Sequence, residues 1–287
     1  MKSERQQRVG IIGHPIGHTL SPAMHTAAFN ELGLPFTYGV FDVVDEFLPP
    51  LFTSIRKNGF AGFNVTIPHK QHVIPLLDEI TGDAKAMGAV NTIVNDNGKF
   101  VGYNTDVDGI ERTLAHFKGR IQNASVVLLG AGGGARAAAY AIARSFSPAS
   151  IRLYNRTAAG AEKIAGEFAK TFPKIVFDVV HERQHLSGVI GESALVVNTT
   201  PAGMTPNIEA LPIPPAIRFS NKQIIFDIIY TPLETAFLRK AKEEGAATVN
   251  GVEMFVQQGR KAFELWTGKV FPAETARQAV LNALKAG

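Results

Sequence analysis

Short β-branched runs alternate with stretches of helical spacing from end to end, the pattern of an α/β protein with largely parallel sheets. The first apolar run, residues 8–13, predicts a strand. Ser21 followed by Pro22 then predicts a helix capped by the serine, begun by the proline and stopped at Gly33. Further strands are expected near 37–42 and 62–66. Residues 91–104 read as a hairpin turning at Asn97-Gly98, a pair that tolerates the positive φ angles of a tight turn. A helix should run from Asp106 toward Phe117, and the polar stretch 118–125 reads as a hinge into a second domain.

Beyond that hinge, strands are expected at 125–129 and near 151–154, 175–179, 194–198 and 224–229, with helices between them. Thr231-Pro232-Leu233-Glu234 has the form of a capping box with proline at the first position, opening a helix toward Glu244. From about Asn250 the chain reads as helical to its end. The expected domains are 1–117 and 118–248, the second built on a doubly wound, Rossmann-type sheet.

Composition narrows the class. With 287 residues, 45% of them apolar, the chain can bury a sizeable core. It has no cysteine, which removes disulfide and thiol chemistry and suits a reducing compartment such as the cytoplasm. Its charged start, Met1-Lys2-Ser3-Glu4-Arg5, is unlike a signal segment, and no stretch has the length and apolarity of a membrane span. A formal charge of +4 suits anionic ligands, while the scattered basic residues form no stripe of the kind that binds nucleic acid. A homodimer is left open.

The apolar run Val126-Val127-Leu128-Leu129 leads into Gly130-Ala131-Gly132-Gly133-Gly134-Ala135 and an alanine-rich helix. Strand, glycine turn and helix in that order form a dinucleotide fingerprint. The first glycine makes the turn, the second admits backbone amides to the pyrophosphate, and the small final residue lets helix and strand pack. At the end of the next strand an NAD site usually carries an acid for the ribose hydroxyls; here Asn155-Arg156-Thr157 stands there. An arginine with two polar neighbours suits a 2′-phosphate, which an acid would repel, so NADP is the expected cofactor.

Hydride transfer from an alcohol also needs a group that takes the hydroxyl proton. Lys70 stands just beyond a strand and Asp106 at a strand-to-helix junction; either alone reads as a surface lysine or a helix cap. Taken together, four blocks resemble the signatures of the shikimate dehydrogenase family, in its order. They are Gly13-His14-Pro15-Ile16-Gly17-His18-Thr19-Leu20-Ser21-Pro22, Asn64-Val65-Thr66-Ile67-Pro68-His69-Lys70, Gly88-Ala89-Val90-Asn91-Thr92 and Gly102-Tyr103-Asn104-Thr105-Asp106. The resemblance continues through the glycine motif, Asn198-Thr199-Thr200-Pro201 with Met204, Asp227 with Tyr230, and Gly251 with Gln258.

That resemblance implies NADP-dependent interconversion of shikimate and 3-dehydroshikimate on the route to aromatic amino acids. It assigns acid/base work to Lys70, with Asp106 holding the ammonium and a ring hydroxyl. Thr19, Ser21 and Tyr230 would face the substrate carboxylate, and Thr66, Asn91 and Gln258 its hydroxyls. Thr200, Met204, Ile228 and Gly251 would complete the cofactor site. The C-terminal helices, 249–287, would return to the first domain.

Two positions depart from the family pattern. Thr19 stands where serine is common, and Gly160 where many NADP-using relatives carry a second arginine. Lys163, one helical turn later, is a candidate replacement. Quinate/shikimate dehydrogenases that use NAD therefore stay open as the nearest alternative. His181-Glu182-Arg183-Gln184-His185 matches a zinc-hydrolase motif, but its place between a strand and a short connecting helix of a Rossmann unit argues for a solvated polar helix. His14 and His18 lie in a Gly/Pro-rich loop and define no metal site, so no residue is assigned to a metal.

Overall fold

A computed structural model of the chain describes residues 6–17 and 19–286. The charged start over residues 1–5 and the histidine of the 14/18 pair at position 18 lie outside the described residues. Packing divides the chain into two units, Met1–Gly109 with Val256–Gly287, and Ile110–Phe255.

The first unit holds strands β1 (Gln7–Gly13), β2 (Phe36–Asp42), β3 (Phe60–Val65), β4 (Glu79–Ile80), β5 (Thr92–Asp96) and β6 (Lys99–Tyr103). Their order in the sheet is β2-β1-β3-β5-β6-β4. Three of its five pairings are parallel, and β5 runs antiparallel to both β3 and β6. The reason is the hairpin, where Asn97 (φ 52°) and Gly98 (φ 94°) make the expected tight turn. The helix Leu48–Lys57 covers one face because Leu48, Phe52 and Ile55 recur at helical spacing and are 2%, 3% and 2% exposed. They pack with Ile12, Phe63, Ile93 and Phe100 into one core.

The helix Ser21–Glu31 corrects the expected cap. Leu20 occupies the N-cap position without a side-chain hydrogen bond, and Ser21 is already helical. The Ser21 hydroxyl is drawn instead to Tyr38 on β2, and its backbone N–H donates to Thr19 Oγ1 at 3.3 Å. The helices Gly251–Thr267 and Ala273–Ala286 bring the chain's last residues back to the first unit from Val256 onward. Gly259 allows this, since a Cβ there would run into the Met24 side chain.

In the second unit β7 (Ser125–Leu129), β8 (Ser150–Tyr154), β9 (Val176–Val179), β10 (Leu195–Asn198), β11 (Ile224–Asp227) and β12 (Ala247–Val249) form one sheet. Its order is β12-β11-β10-β7-β8-β9, and every pairing is parallel. Read from β9, this is the doubly wound Rossmann order, whose direction of winding reverses between β7 and β10. Val127, Val196, Ile225 and Phe237 meet in its core.

Two local expectations change here. The stretch taken for a hinge is helical over Lys118–Ile121 and anchored by Ile121, which is fully buried. The helix expected from Thr231 starts at Ala236, because Thr235 is the residue whose hydroxyl accepts from Leu238 N (3.3 Å). Thr235 is held in place by donating to buried Asp227 Oδ2 at 2.8 Å. Glu234 pairs with Lys242 at 3.0 Å rather than closing a box.

Candidate functional site

In the first unit, Lys70 follows the turn that ends β3, and Asp106 opens the helix Asp106–Leu114 just after β6. The intervening strands bring them together: Lys70 Nζ donates to Asp106 Oδ2 at 2.6 Å. Asn91 Nδ2 donates to the other oxygen, Oδ1, at 2.8 Å. The Asn91 amide has only one consistent orientation, since its Oδ1 accepts from Thr105 N at 2.7 Å and from the Thr105 and Thr92 hydroxyls at 3.2 Å. Lys70 keeps 29% of its side chain exposed and Asp106 16%. The ammonium therefore borders solvent while its carboxylate partner is held by the fold.

Sequence reasoning missed the support beneath this trio. Asn64 Nδ2 donates to Thr92 Oγ1 at 3.2 Å, and the Tyr38 hydroxyl donates to Asn64 Oδ1 at 2.7 Å. Burial pushes the Tyr38 phenol far up from its ordinary value, so it acts as a neutral donor. Asn64 lies inside a quoted block, but nothing in the chain signals its link to Tyr38 on β2. Thr66 lies at the end of β3 against Gly13, where a Cβ would sit 2.5 Å from its methyl group. Gln258 is half-buried on the helix Gly251–Thr267.

Asp45, His69 and His72 are the one group of metal-ligating type among the described residues. Both histidines present Nδ1 to Asp45 Oδ1 at 2.7 Å, and His69 Nε2 lies 2.6 Å from Val43 O. Two ligands each about 2.1 Å from a tetrahedral ion stand roughly 3.3 Å apart. The observed spacing is that of hydrogen bonds, which pin the turn carrying Lys70 to the 43–45 segment. The His72 contact, more than any other, holds Asp45 below the usual carboxylate range.

In the second unit a cavity of about 1020 Å³ opens at the carboxyl ends of β7, β8 and β10, where the Rossmann winding reverses. Gly130, Ala131, Gly132, Asn155, Arg156, Thr200 and Met204 line it. Gly130 has φ 113° and its N–H donates to Tyr154 O at 2.8 Å; a Cβ there would meet Thr199 Oγ1 at 2.5 Å. At Gly132 and Gly133 a Cβ would meet nothing within 4 Å, so no side chain covers the start of the helix Gly133–Phe146, whose first amides have no acceptor within the helix. Gly134 approaches Ile228 Cδ1, and Ala135 is fully buried against the sheet. The concave glycine turn, the open amides and exposed Arg156 fit a dinucleotide carrying a 2′-phosphate.

Thr157 holds the N-cap position of the helix Ala158–Thr171 without a side-chain cap bond, and Asn155 Nδ2 donates to Thr157 O at 2.8 Å. Gly251 touches the end of β11 so closely that a side chain would strike Ile228 O. Tyr230 belongs to this unit, its ring 4.9 Å from that of Phe255, whereas Thr19, Ser21 and Gln258 belong to the other. Burial raises the Tyr230 phenol. Lys163 is exposed and does not line the cavity; Arg183 does. The zinc-like motif is not a helix: Arg183–His185 is a single 3-10 turn, with both His181 and His185 exposed.

Comparison with known proteins agrees with this geometry. The family model for the shikimate dehydrogenase substrate binding domain matches residues 11–93, and that for the shikimate 5'-dehydrogenase C-terminal domain matches 251–281. A shikimate dehydrogenase (NADP(+)) of Methanocaldococcus jannaschii is 39% identical, over 99% of each chain. The chain belongs to the shikimate dehydrogenase family. Within that family, a crystal structure of shikimate dehydrogenase in complex with NADP+ superposes with a TM-score of 0.89 at 38% identity, covering 98% of this chain and 97% of the other. A quinate dehydrogenase from Corynebacterium glutamicum in complex with NAD gives 0.88 at 30% identity, covering 96% and 99%. Among the described residues, no helix is long and apolar enough to cross a membrane.

Proposed function

We propose that this chain is an NADP-dependent shikimate dehydrogenase, reversibly reducing 3-dehydroshikimate to shikimate in the supply of aromatic amino acids. The observation that carries the reading is the Lys70–Asp106–Asn91 arrangement: a partly exposed ammonium held at 2.6 Å by a carboxylate that is itself fixed from behind. NADP, when bound, supplies or accepts the hydride. Lys70 Nζ exchanges the proton of the reacting oxygen, giving it as the ketone becomes an alcohol and taking it in the reverse direction. Asp106 positions that ammonium and accepts from a ring hydroxyl, and Asn91 binds a hydroxyl while orienting Asp106.

Thr19, Ser21 and Tyr230 face the substrate carboxylate in this reading, and Thr66 and Gln258 the remaining hydroxyls. The first unit is the substrate-binding and catalytic one. The second holds NADP through Gly130–Ala135, Asn155, Arg156, Thr157, Thr200, Met204, Ile228 and Gly251. The protein works in the cytoplasm, consistent with its lack of cysteine, and a homodimer is the assembly to test by light scattering.

Gly160 favours a second reading, in which NAD is used and quinate accepted, because the glycine leaves the phosphate contact without its second arginine. Absorbance assays that cross shikimate and quinate with NADP and NAD separate the two. Fast turnover of shikimate with NADP is expected; no turnover of shikimate with either cofactor ends the main reading. Lys70→Ala should lower kcat by about 10²–10⁴ with little change in NADP+ affinity.

A further inference from the structure

We propose that Arg183 supplies the second cation of the 2′-phosphate contact, in place of the arginine that Gly160 does not provide. The inference rests on the reading of the second unit as an NADP site. Position 160 is tight: a Cβ there would stand 3.1 Å from Ala131 Cβ and 3.4 Å from Ala131 O. The first turn of the helix Ala158–Thr171 therefore presses against the glycine turn itself. A side chain at position 160 would have to displace that turn by a few tenths of an ångström.

Topology brings a replacement from the next strand. β9 pairs with β8 in parallel register, Leu153 beside Val179, so the segments leaving their carboxyl ends run side by side. The segment after β8 carries Asn155 and Arg156, and the one after β9 carries Arg183. Both arginines line the same cavity as Gly130–Gly132. This edge is the side of the glycine turn away from β10, the side on which a dinucleotide's adenosine lies in the doubly wound order. Both side chains are exposed. Arg239 already neutralises Glu209, an acid on the cavity wall, at 2.7 Å. Two guanidinium groups lining one cavity suit a dianionic phosphate, which accepts several charge-assisted hydrogen bonds.

The test is equilibrium binding to the full-length protein, independent of turnover. Calorimetric titration of wild type, Arg183→Ala and Arg183→Lys would use NADP+, NAD+, 2′-AMP and 5′-AMP. Arg183→Ala should weaken NADP+ and 2′-AMP about tenfold, as loss of one charge-assisted bond does, and leave NAD+ and 5′-AMP within about twofold. Arg183→Lys should recover part of the loss. Equal weakening of all four ligands would mean that Arg183 serves the adenine ring, and no weakening would mean that it serves neither; both overturn the proposal. Wild-type protein that binds NADP+ but fails to turn over shikimate would defeat the enzymatic reading and leave this inference standing. Wild-type protein that binds neither dinucleotide would defeat both.

Discussion

Asn91 fixes the direction in which Asp106 meets Lys70. Its carbonyl oxygen is held by Thr105 N at 2.7 Å, so its amide nitrogen must face Asp106 Oδ1, 2.8 Å away, and leaves Oδ2 to the ammonium. Removing the side chain frees the carboxylate to rotate and leaves the buried Thr105 N–H without its acceptor. Asn91→Ala should lower kcat for shikimate by roughly 10–100-fold, the cost of losing a hydrogen bond to a charged group. Asn91→Asp should be worse, since it sets one carboxylate against another. Steady-state kinetics with NADP+ affinity as the control checks this; unchanged kcat in Asn91→Ala would remove Asn91 from the positioning of Asp106.

The second unit contains a carboxylate that favours acid. Asp227 is fully buried and accepts from Asn198, Ile229 N and Thr235, yet burial pushes it up from 3.8 to about 6. Because the folded state holds this proton more tightly, its contribution to stability is complete below about pH 4 and is lost as pH rises through about 6. A shift of about two units corresponds to roughly 3 kcal/mol. Asp227→Asn should flatten that decline, seen as slower hydrogen exchange than wild type in β10 and β11 at pH 7 relative to pH 4.5. An unchanged pH dependence would show that Asp227 is ionised when folded.

The first unit responds in the opposite sense. His25 is fully buried among Phe29, Tyr38, Trp266 and Phe271, stacked on Tyr38 at 4.8 Å, and neither ring nitrogen finds a hydrogen-bond partner. Burial lowers it from 6.5 to about 3. The unfolded chain therefore binds the extra proton first, and this residue's contribution, present above about pH 6.5, is lost as pH falls toward 3. His25→Leu, close in volume, should remove most of the acid sensitivity of exchange in the helix Ser21–Glu31 and β2. If that sensitivity persisted, carboxylates elsewhere in the unit would be its source.

Legibility followed how local each cause is. The hairpin was readable because Asn97 and Gly98 must adopt positive φ whatever surrounds them. The strands of the second sheet were readable because a parallel strand buried on both faces is a continuous apolar run, as in Val126–Leu129. Thr231 was mistaken for Thr235 as a cap because Asp227, eight residues away, chooses between two plausible hydroxyls through a contact that no spacing rule encodes. Lys70, Asn91 and Asp106 were found through the family blocks, while their support by Asn64 and Tyr38 was hidden because it joins three strands, β2, β3 and β5. Arg183 reads as part of a solvated decoy in the sequence, and only the fold places it on the cavity that Arg156 also lines.

The glycine turn separates stability from cofactor binding. Gly130 has φ 113°, outside the range of ordinary side chains, and a Cβ would come 2.5 Å from Thr199 Oγ1. Thr199 cannot easily yield, because its hydroxyl donates to Leu129 O at 2.7 Å and its N–H to the same oxygen at 2.9 Å. Gly130→Ala should therefore destabilise the fold by roughly 2–4 kcal/mol through backbone strain and overpacking together. Gly133 begins the following helix, with nothing within 4 Å of an added Cβ. Gly133→Ala should leave stability equal or raise it by about 1 kcal/mol, the helix preference of alanine. The same methyl group would occupy the space through which a pyrophosphate reaches the helix amides, so NADP+ affinity should fall in both variants. Denaturant unfolding alongside dinucleotide titration reads the two effects apart. A Gly133→Ala variant that bound NADP+ as tightly as wild type would place the pyrophosphate elsewhere.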